Sequence, residues 1–571
     1  MLVMRDFILR FPHLAEKIFQ QLDNESLAKS REVDKLWRKF IDERNYPWLR
    51  IVNIPTILQD QDTYMHLAAK CGQTDMFEII LDEKDNKNAK NHEGETPFIV
   101  ACSEGHANIA LMLLKKSDEL EIDLNAQNIY DETAFYKACE NGHLEIAKMI
   151  IKSSSELNID VNIKPDDGWT AFHKACLNGH LDVAELIMKS SSELHIDLNI
   201  QEDYGRTAFH LACKNGHLEV AKLIMKNSSE IFIDFNIEDD DGDTAFHTVC
   251  NNGKSEIAEL IMKNSSELHI DLNSKDNSNK TAFYQACQNG HLEIAEIIMK
   301  NSSELHIDLN IKDDDGDTAF QTACNNGNLE IAEMIMKNSS ELHIDLNSQD
   351  NNGKTAFYQA CENGHLEIAE MIMKYSSEMN INTAIDLNIK DNNGCTAFHR
   401  VCIIGDSDIA EMIMKNSSNT EIDLNIKDAD GLTAFHRACS IGQSKIAEVI
   451  MKKSLEASID LNSKDNVGRT ACYIACLNGF LEIAEMIMKN SSNAEIDLNI
   501  KEEIYGETVF HLACSFGHIR IIDLMIEQSE SLELDLTAKN NSNNTGYQLA
   551  KVNGRNDVVN LIQTKMPSLV V

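Results

Sequence analysis

Histidine and cysteine recur three residues apart along this 571-residue chain, as His173–Cys176, His210–Cys213, His247–Cys250, His399–Cys402, His436–Cys439 and His511–Cys514. On a helix that spacing puts both side chains on one face, where they could share a metal ion. Fifteen cysteines could also suggest disulfides. Acidic runs at Asp239-Asp240-Asp241 and Asp313-Asp314-Asp315 offer oxygen ligands of the kind that hold calcium. Each chemistry fails on pattern. Tyr136, Tyr284, Tyr358 and Tyr473 replace the histidine elsewhere, and tyrosine is a poor zinc ligand. No Cys-x-x-Cys pair occurs, and the acidic runs lack the twelve-residue loop and closing Glu of a calcium site. There is no Gly-x-Ser-x-Gly, phosphate loop or His-Glu zinc helix. The expectation is no catalytic residue, no metal and no cofactor, so a hydrolase or metalloenzyme is the weakest reading.

The elements that carry these residues are repeats. A motif of the form T-A-F-H-x-A-C-x-x-G recurs, mostly every 37 residues, with its Thr at positions from Thr63 to Thr545. A Gly stands nine residues after every one, from Gly72 to Gly554. In one unit, Asn351-Asn352-Gly353-Lys354 suits a hairpin tip and Thr355 caps a short helix. Phe357, Ala360 and Cys361 face inward, and Asn363-Gly364 ends that helix. A second helix is expected over 366–374, with Leu366, Ile368, Ala369, Ile372 and Met373 at helical spacing. One such unit cannot bury its apolar faces alone, but stacked neighbours can. In-register cysteines of adjacent units would stand about 8–10 Å apart, beyond the roughly 7 Å that a disulfide allows. Twelve of them, from Cys102 to Cys514, are therefore expected as buried small residues in a reducing compartment. Cys472 takes the Phe position and is expected in the core.

The motif resembles the ankyrin repeat, whose signature is T-P-L-H-x-A-A-x-x-G. Here Ala mostly replaces Pro, Phe replaces Leu and Cys replaces the second Ala. The resemblance implies an all-α repeat fold. The implied fold is an ankyrin solenoid of about fourteen repeats over residues 58–566, each a helix-turn-helix plus β-hairpin. The motif histidine would then bond backbone near the hairpin. The four residues beyond the family's period are expected to lengthen the outer loop. The concave face of such proteins is made by tips and first helices, four, three and one residue before the Thr and seven and eight after it. Large apolar residues there include Tyr130, Trp169, Leu177 and Tyr204 towards one end. Towards the other stand Ile403, Ile404, Leu432, Ile441, Leu477, Tyr505 and Phe516. Between them lie Asp241, Asp243, Asp315, Asp317 and Asn352. The expectation is two apolar contact zones separated by an acidic stretch, against the alternative of ordinary scattered surface residues.

Residues 8–52 follow another pattern. Phe11-Pro12, Leu14, Ile18-Phe19, Leu22-Asp23, Leu27, Val33-x-x-x-Trp37 and Trp48 resemble the F-box. Phe11 replaces that family's Leu, and the Pro-to-Ile distance is one residue short. The resemblance implies docking to the small adaptor of a cullin–RING ubiquitin ligase, with Pro12, Leu14, Ile18, Leu22, Val33 and Trp37 as docking or supporting positions. A plain helical cap over the first repeat is the other reading.

Charge narrows the partners. Residues 1–50 hold ten Lys/Arg and eight Asp/Glu, so the acidic excess behind the chain's net charge of −40 lies beyond them, where 42 Lys/Arg face 84 Asp/Glu. Such a surface repels nucleic-acid phosphates and anionic lipids and favours protein partners with basic patches. No run of 18 apolar residues suggests a membrane span, and Arg5, Asp6 and Arg10 interrupt what would be a signal peptide. The expected location is the cytoplasm, with the nucleus open. Two functions remain in view: a non-catalytic substrate receptor of a cullin-type ligase, and an ankyrin scaffold or adaptor without a ubiquitin role.

Overall fold

The computed structural model describes residues 62–81, 86–378, 385–454, 456–491 and 494–570. The F-box-like segment with Pro12, Leu14, Ile18, Leu22, Val33 and Trp37 lies outside them. Cα packing divides the chain into two compact units, Met1–Asn277 and Ser278–Val571.

In the first unit a short helix and a second helix alternate. Ala134–Glu140, Ala171–Leu177, Ala208–Asn215 and Ala245–Asn251 are first helices. Leu144–Leu157, Leu181–Leu194, Leu218–Ile231 and Ser255–Leu268 are their partners. Thr133, Thr170 and Thr207 cap the first helices, each hydroxyl accepting the N–H three residues on. The core is drawn from both helices of each pair. Phe172, Ala175 and Cys176 of one first helix are buried, as are Val183, Ala184 and Ile187 of its partner. Each large apolar side chain so buried contributes about 1.5–3 kcal/mol. Phe235 joins this core from the connecting segment, edge-on to Phe209 at 4.8 Å between ring centroids.

The second helices run longer than the sequence pattern suggests. Each of these four spans fourteen residues. The extra four residues are an added helical turn and not a longer loop. The serines that resemble loop residues stay helical because their hydroxyls have partners. Ser154 donates to Ile151 O at 2.7 Å and Ser191 to Met188 O at 2.7 Å, and both serines are buried. A left-handed residue ends each helix, Asn158, His195, Phe232 or His269.

The second unit repeats the plan, with first helices such as Ala319–Asn325, Ala356–Glu362 and Ala434–Ile441. Its second helices change length along the chain. Leu292–Leu305 and Leu329–Leu342 have fourteen residues, whereas Ser407–Asn416, Ser444–Lys453 and Leu481–Asn490 have ten. Asn419-Thr420 stand where Glu341-Leu342 stand two units earlier. Both are weaker helix formers, and the turn Ser417–Asn419 tightens to a 3₁₀ helix.

The expected hairpins form as tips without regular strands among the described residues. One isolated bridge, Lys312 to Thr318, is the only β pairing there. Tips are joined by single backbone bonds, such as Asp203 N–H to Asp167 O at 3.0 Å and Asn351 N–H to Asp315 O at 2.8 Å.

Candidate protein-binding surface

The motif histidines are spent on the frame. The Thr207 N–H donates to His210 Nδ1 at 3.2 Å, and the Thr207 hydroxyl lies 2.8 Å from the same nitrogen. Nδ1 is therefore the acceptor, the proton sits on Nε2, and Nε2 donates to Asp243 O of the next tip at 3.2 Å. His66, His173, His399, His436 and His511 repeat the arrangement. Burial holds His173, His210 and His436 neutral, with pKa values lowered to about 4. In these rings both nitrogens are occupied, which leaves none for a metal. Among the described residues no cluster of three or more His, Cys, Asp or Glu could hold one. The cysteines are free thiols, all buried except Cys71, and Cys472 lies in the core at the Phe position. Burial raises the pKa of Cys139 and Cys213.

Two further staples join neighbouring repeats, and sequence reading misses both. The histidine after the helix-ending Gly reaches back to the preceding repeat: His143 Nε2 to Ser103 O at 2.9 Å and His180 Nε2 to Glu140 O at 2.9 Å. At the opposite edge, Asn199 Nδ2 donates to Phe232 O at 2.8 Å while its Oδ1 accepts the Asp234 N–H at 3.0 Å. Asn425 does the same with Ser458 and Asp460. The recurring Asp-Leu-Asn is the available signal. These bonds fix the backbone, so the tip side chains are free to differ.

In the first unit those side chains form a mixed aromatic and cationic surface. Tyr130 and Tyr204 stand out from their tips, 62% and 64% exposed. Ile129 beside Tyr130 is equally open; sequence reading does not single it out, although it occupies the position four before the Thr. Trp169 is half-buried, with Lys174 Nζ 4.6 Å from its ring centroid and His173 edge-on at 6.0 Å. Lys174 also pairs with Glu140 at 3.2 Å, and Glu140 with Lys137. Arg206 stacks on Tyr204 at 4.9 Å while its Nε bonds Glu202 at 2.8 Å. Leu177 is half-buried, and its carbonyl accepts His217 Nε2 at 2.8 Å.

In the second unit, Tyr505 is exposed together with Ile504, which sequence reading also passes over. Ile404, Ile441 and Phe516 are exposed at the ends of first helices, and Phe516 stacks on His518 at 5.9 Å. Ile403 and Leu477 are half-buried. Leu432 must be corrected: it is 7% exposed and belongs to the core. Its carbonyl accepts His399 Nε2 at 3.0 Å, which draws the residue into the junction between repeats. The same position one before the Thr holds Trp169, which is only half-buried, so the inward packing is particular to Leu432. A cavity of about 530 Å³ is lined by Glu333, Glu370, Met371, Lys374 and Asn416 on second helices, and by none of the tip residues.

Among the described residues no helix is long and apolar enough to cross a membrane. A family model described as ankyrin repeats in three copies matches residues 65–165, 117–197, 155–234, 229–308, 303–384, 381–465 and 420–502. A single ankyrin-repeat model matches 505–534. No curated protein matches the chain. With matches running almost without a break from the first described helix to the last quarter of the second unit, this chain belongs to the ankyrin-repeat family, whose repeats serve protein–protein interaction.

Proposed function

We propose that the chain is a protein receptor that does no chemistry itself. Its tips and first helices capture a protein, and residues 8–52 carry that protein to a cullin–RING ubiquitin ligase. The array in this reading has about fourteen repeats over 58–566, one for each Thr–Gly pair. The capture half rests on one observation: large apolar side chains stand open at tips and first-helix ends whose backbones are already satisfied. Tyr130, Tyr204, Tyr505 and Phe516 are exposed although nothing in the frame requires them to be. Aromatic residues so placed are the usual anchors of protein interfaces. The delivery half rests on the F-box-like residues Pro12, Leu14, Ile18, Leu22, Val33 and Trp37. The proposed setting is cytoplasmic.

Two measurements test the two halves separately. For a co-purified protein partner, Trp169→Ala and Phe516→Ala should each weaken binding by about 2 kcal/mol, roughly thirtyfold. Unchanged affinity in both removes the capture surface. For delivery, the full chain should retain the cullin adaptor and lose it in a folded Pro12→Ala/Trp37→Ala variant. Retention of the partner with no adaptor in any preparation favours the scaffold reading.

A further inference from the structure

Two neighbouring tips of the first unit are built alike and neutralised differently. In both, an asparagine at the start of the tip bonds the glutamate that ends it. Asn91 Nδ2 donates to Glu95 Oε2 at 3.2 Å, and Asn128 Nδ2 to Glu132 Oε2 at 2.8 Å. Each glutamate stands one residue before its motif Thr. Glu132 then meets Lys137, four residues after the Thr, at 3.5 Å. In the repeat before, the residue four after the Thr is Val100, and the first helix Pro97–Ser103 carries no lysine for Glu95.

A space stands where that side chain is missing. A cavity of about 210 Å³ is lined by the tip residues Glu93 and Glu95 and by first helices of three successive repeats, through Lys70, Val100 and Lys137. Val100 is the one apolar residue of its lining and is buried. The cavity is open to the capture face: Glu93 and Glu104 are exposed, and Glu95 is half-buried between them and Val100. It also borders apolar surface. Glu93 O accepts the Ile129 N–H at 2.9 Å, which seats the exposed pair Ile129 and Tyr130 beside it.

The charge of the lining is acidic. Asp62, Glu93, Glu95 and Glu104 have no Lys or Arg nitrogen at ion-pair distance among the described residues. Lys137 is held by Glu132 and Glu140, so Lys70 is the remaining cation against four carboxylates. Burial raises the Glu95 pKa, and the charge of Glu93 adds to the rise.

We propose that this cavity receives a lysine side chain of the captured protein, with its ammonium at Glu95 and its carbon stem against Val100. The inference rests on the array being a protein-binding surface and adds the chemistry of one subsite. The array itself supplies the precedent, since Lys137 holds that place relative to Glu132 one repeat on. The stem suits an apolar contact, and three N–H donors suit carboxylates at different depths. A carboxylate would be repelled here, and an apolar side chain would strip water from Glu95 without replacing its bonds.

The test uses the full chain and the peptide acetyl-Gly-Ser-Lys-Ser-Gly-amide, with Nε-acetyl-lysine in place of lysine as an uncharged control. Methyl resonances of Val100 and Ile129 report binding. The methyls of Ile504, at a tip that also carries Glu502, Glu503 and Glu507, report unspecific attraction. The lysine peptide should shift Val100 and Ile129 saturably and leave Ile504 in place. The acetylated peptide should bind roughly tenfold more weakly. Val100→Lys gives this repeat the residue carried at 137 and should abolish the Ile129 shift. If that variant misfolds, Glu95→Gln should weaken binding severalfold. Equal shifts at Ile504, equal binding of the acetylated peptide, or undiminished binding in either folded variant overturns the site. A silent lysine peptide together with a partner still lost in Trp169→Ala sinks this subsite alone. A partner indifferent to Trp169→Ala and Phe516→Ala sinks the capture reading itself.

Discussion

Residues 202–210 in one unit and 313–321 in the other are the same piece of backbone with opposite electrostatics. Gly205 and Gly316 turn both tips at φ +75° and +83°, and a Cβ at either would meet the next tip's backbone nitrogen at 2.7 Å. Thr207 and Thr318 cap both helices. In the first, Glu202 is matched by Arg206 and the cap is closed by His210. In the second, Asp313 meets Asp317, and the cap is closed by Gln321, whose Oε1 accepts the Thr318 N–H at 3.1 Å and whose Nε2 donates to Lys354 O at 3.0 Å. The difference teaches that Thr, Gly and a bifunctional polar side chain suffice for the frame. Charge at the tip is left free to differ between repeats.

The largest break in this comparison should come from Arg206→Asp, which makes the first tip like the second. The Glu202 side chain has no exposure, so losing its cation should cost about 3 kcal/mol. Hydrogen exchange of amides in Ala208–Asn215 reads that loss locally. A change near zero would mean that the N–H groups of Tyr204 and Arg206, both 3.2 Å from Glu202 Oε1, satisfy the carboxylate alone.

Acid should move the two regions in opposite directions. His210 has its folded pKa lowered from 6.5 to about 4 by burial, so the unfolded chain takes the proton first. Its stabilisation is complete above pH 6.5 and is lost as pH falls from 6.5 to 4. Between pH 7 and 5 protection of Ala208–Asn215 should drop by about 2 kcal/mol. Asp317 has its folded pKa raised from 3.8 to about 6, so the folded chain takes the proton first. Its penalty is present above pH 6 and is relieved as pH falls from 6 to 3.8. Protection around residues 313–321 should rise by about 1 kcal/mol over the same interval. The same sign at both places would contradict the assignment of the groups.

The smallest effect expected is from His210→Gln. The cap at Thr318 already works with Gln321, so stability at pH 7 should change by less than about 1 kcal/mol. The acid sensitivity of Ala208–Asn215 should vanish, as read by the same exchange measurement at pH 7 and 5.

The repeat is legible because its signals are local. Thr at a helix start, Gly at its end and Phe-x-x-Ala-Cys between them follow from capping and burial within one unit. What escapes depends on neighbours. The added turn at Ser302–Leu305 cannot be read from propensity, since Ser302 is kept helical by its bond to Met299 O and by burial. Leu432 falls on the binding face when its position is counted from the Thr alone. The bond from His399 that draws it inward comes from the repeat before. Histidine roles are half visible. The Thr–His cap matches the family pattern, but His143 and His180 read only as helix starts without the preceding repeat's carbonyls against their rings. Single-repeat reasoning finds the residues of the surface and misses those whose role is to join repeats.

The central claim is that partner contact occurs at tips and first helices, not on second helices. Photo-crosslinking tests it most directly. A photoreactive side chain would be placed at Tyr204 or Tyr505 on the tips, and at Glu219 or Glu482 on second helices, in the full chain with a co-purified partner. The account predicts crosslinks from the tip positions and none from the helix positions. Crosslinks confined to Glu219 and Glu482 would contradict it.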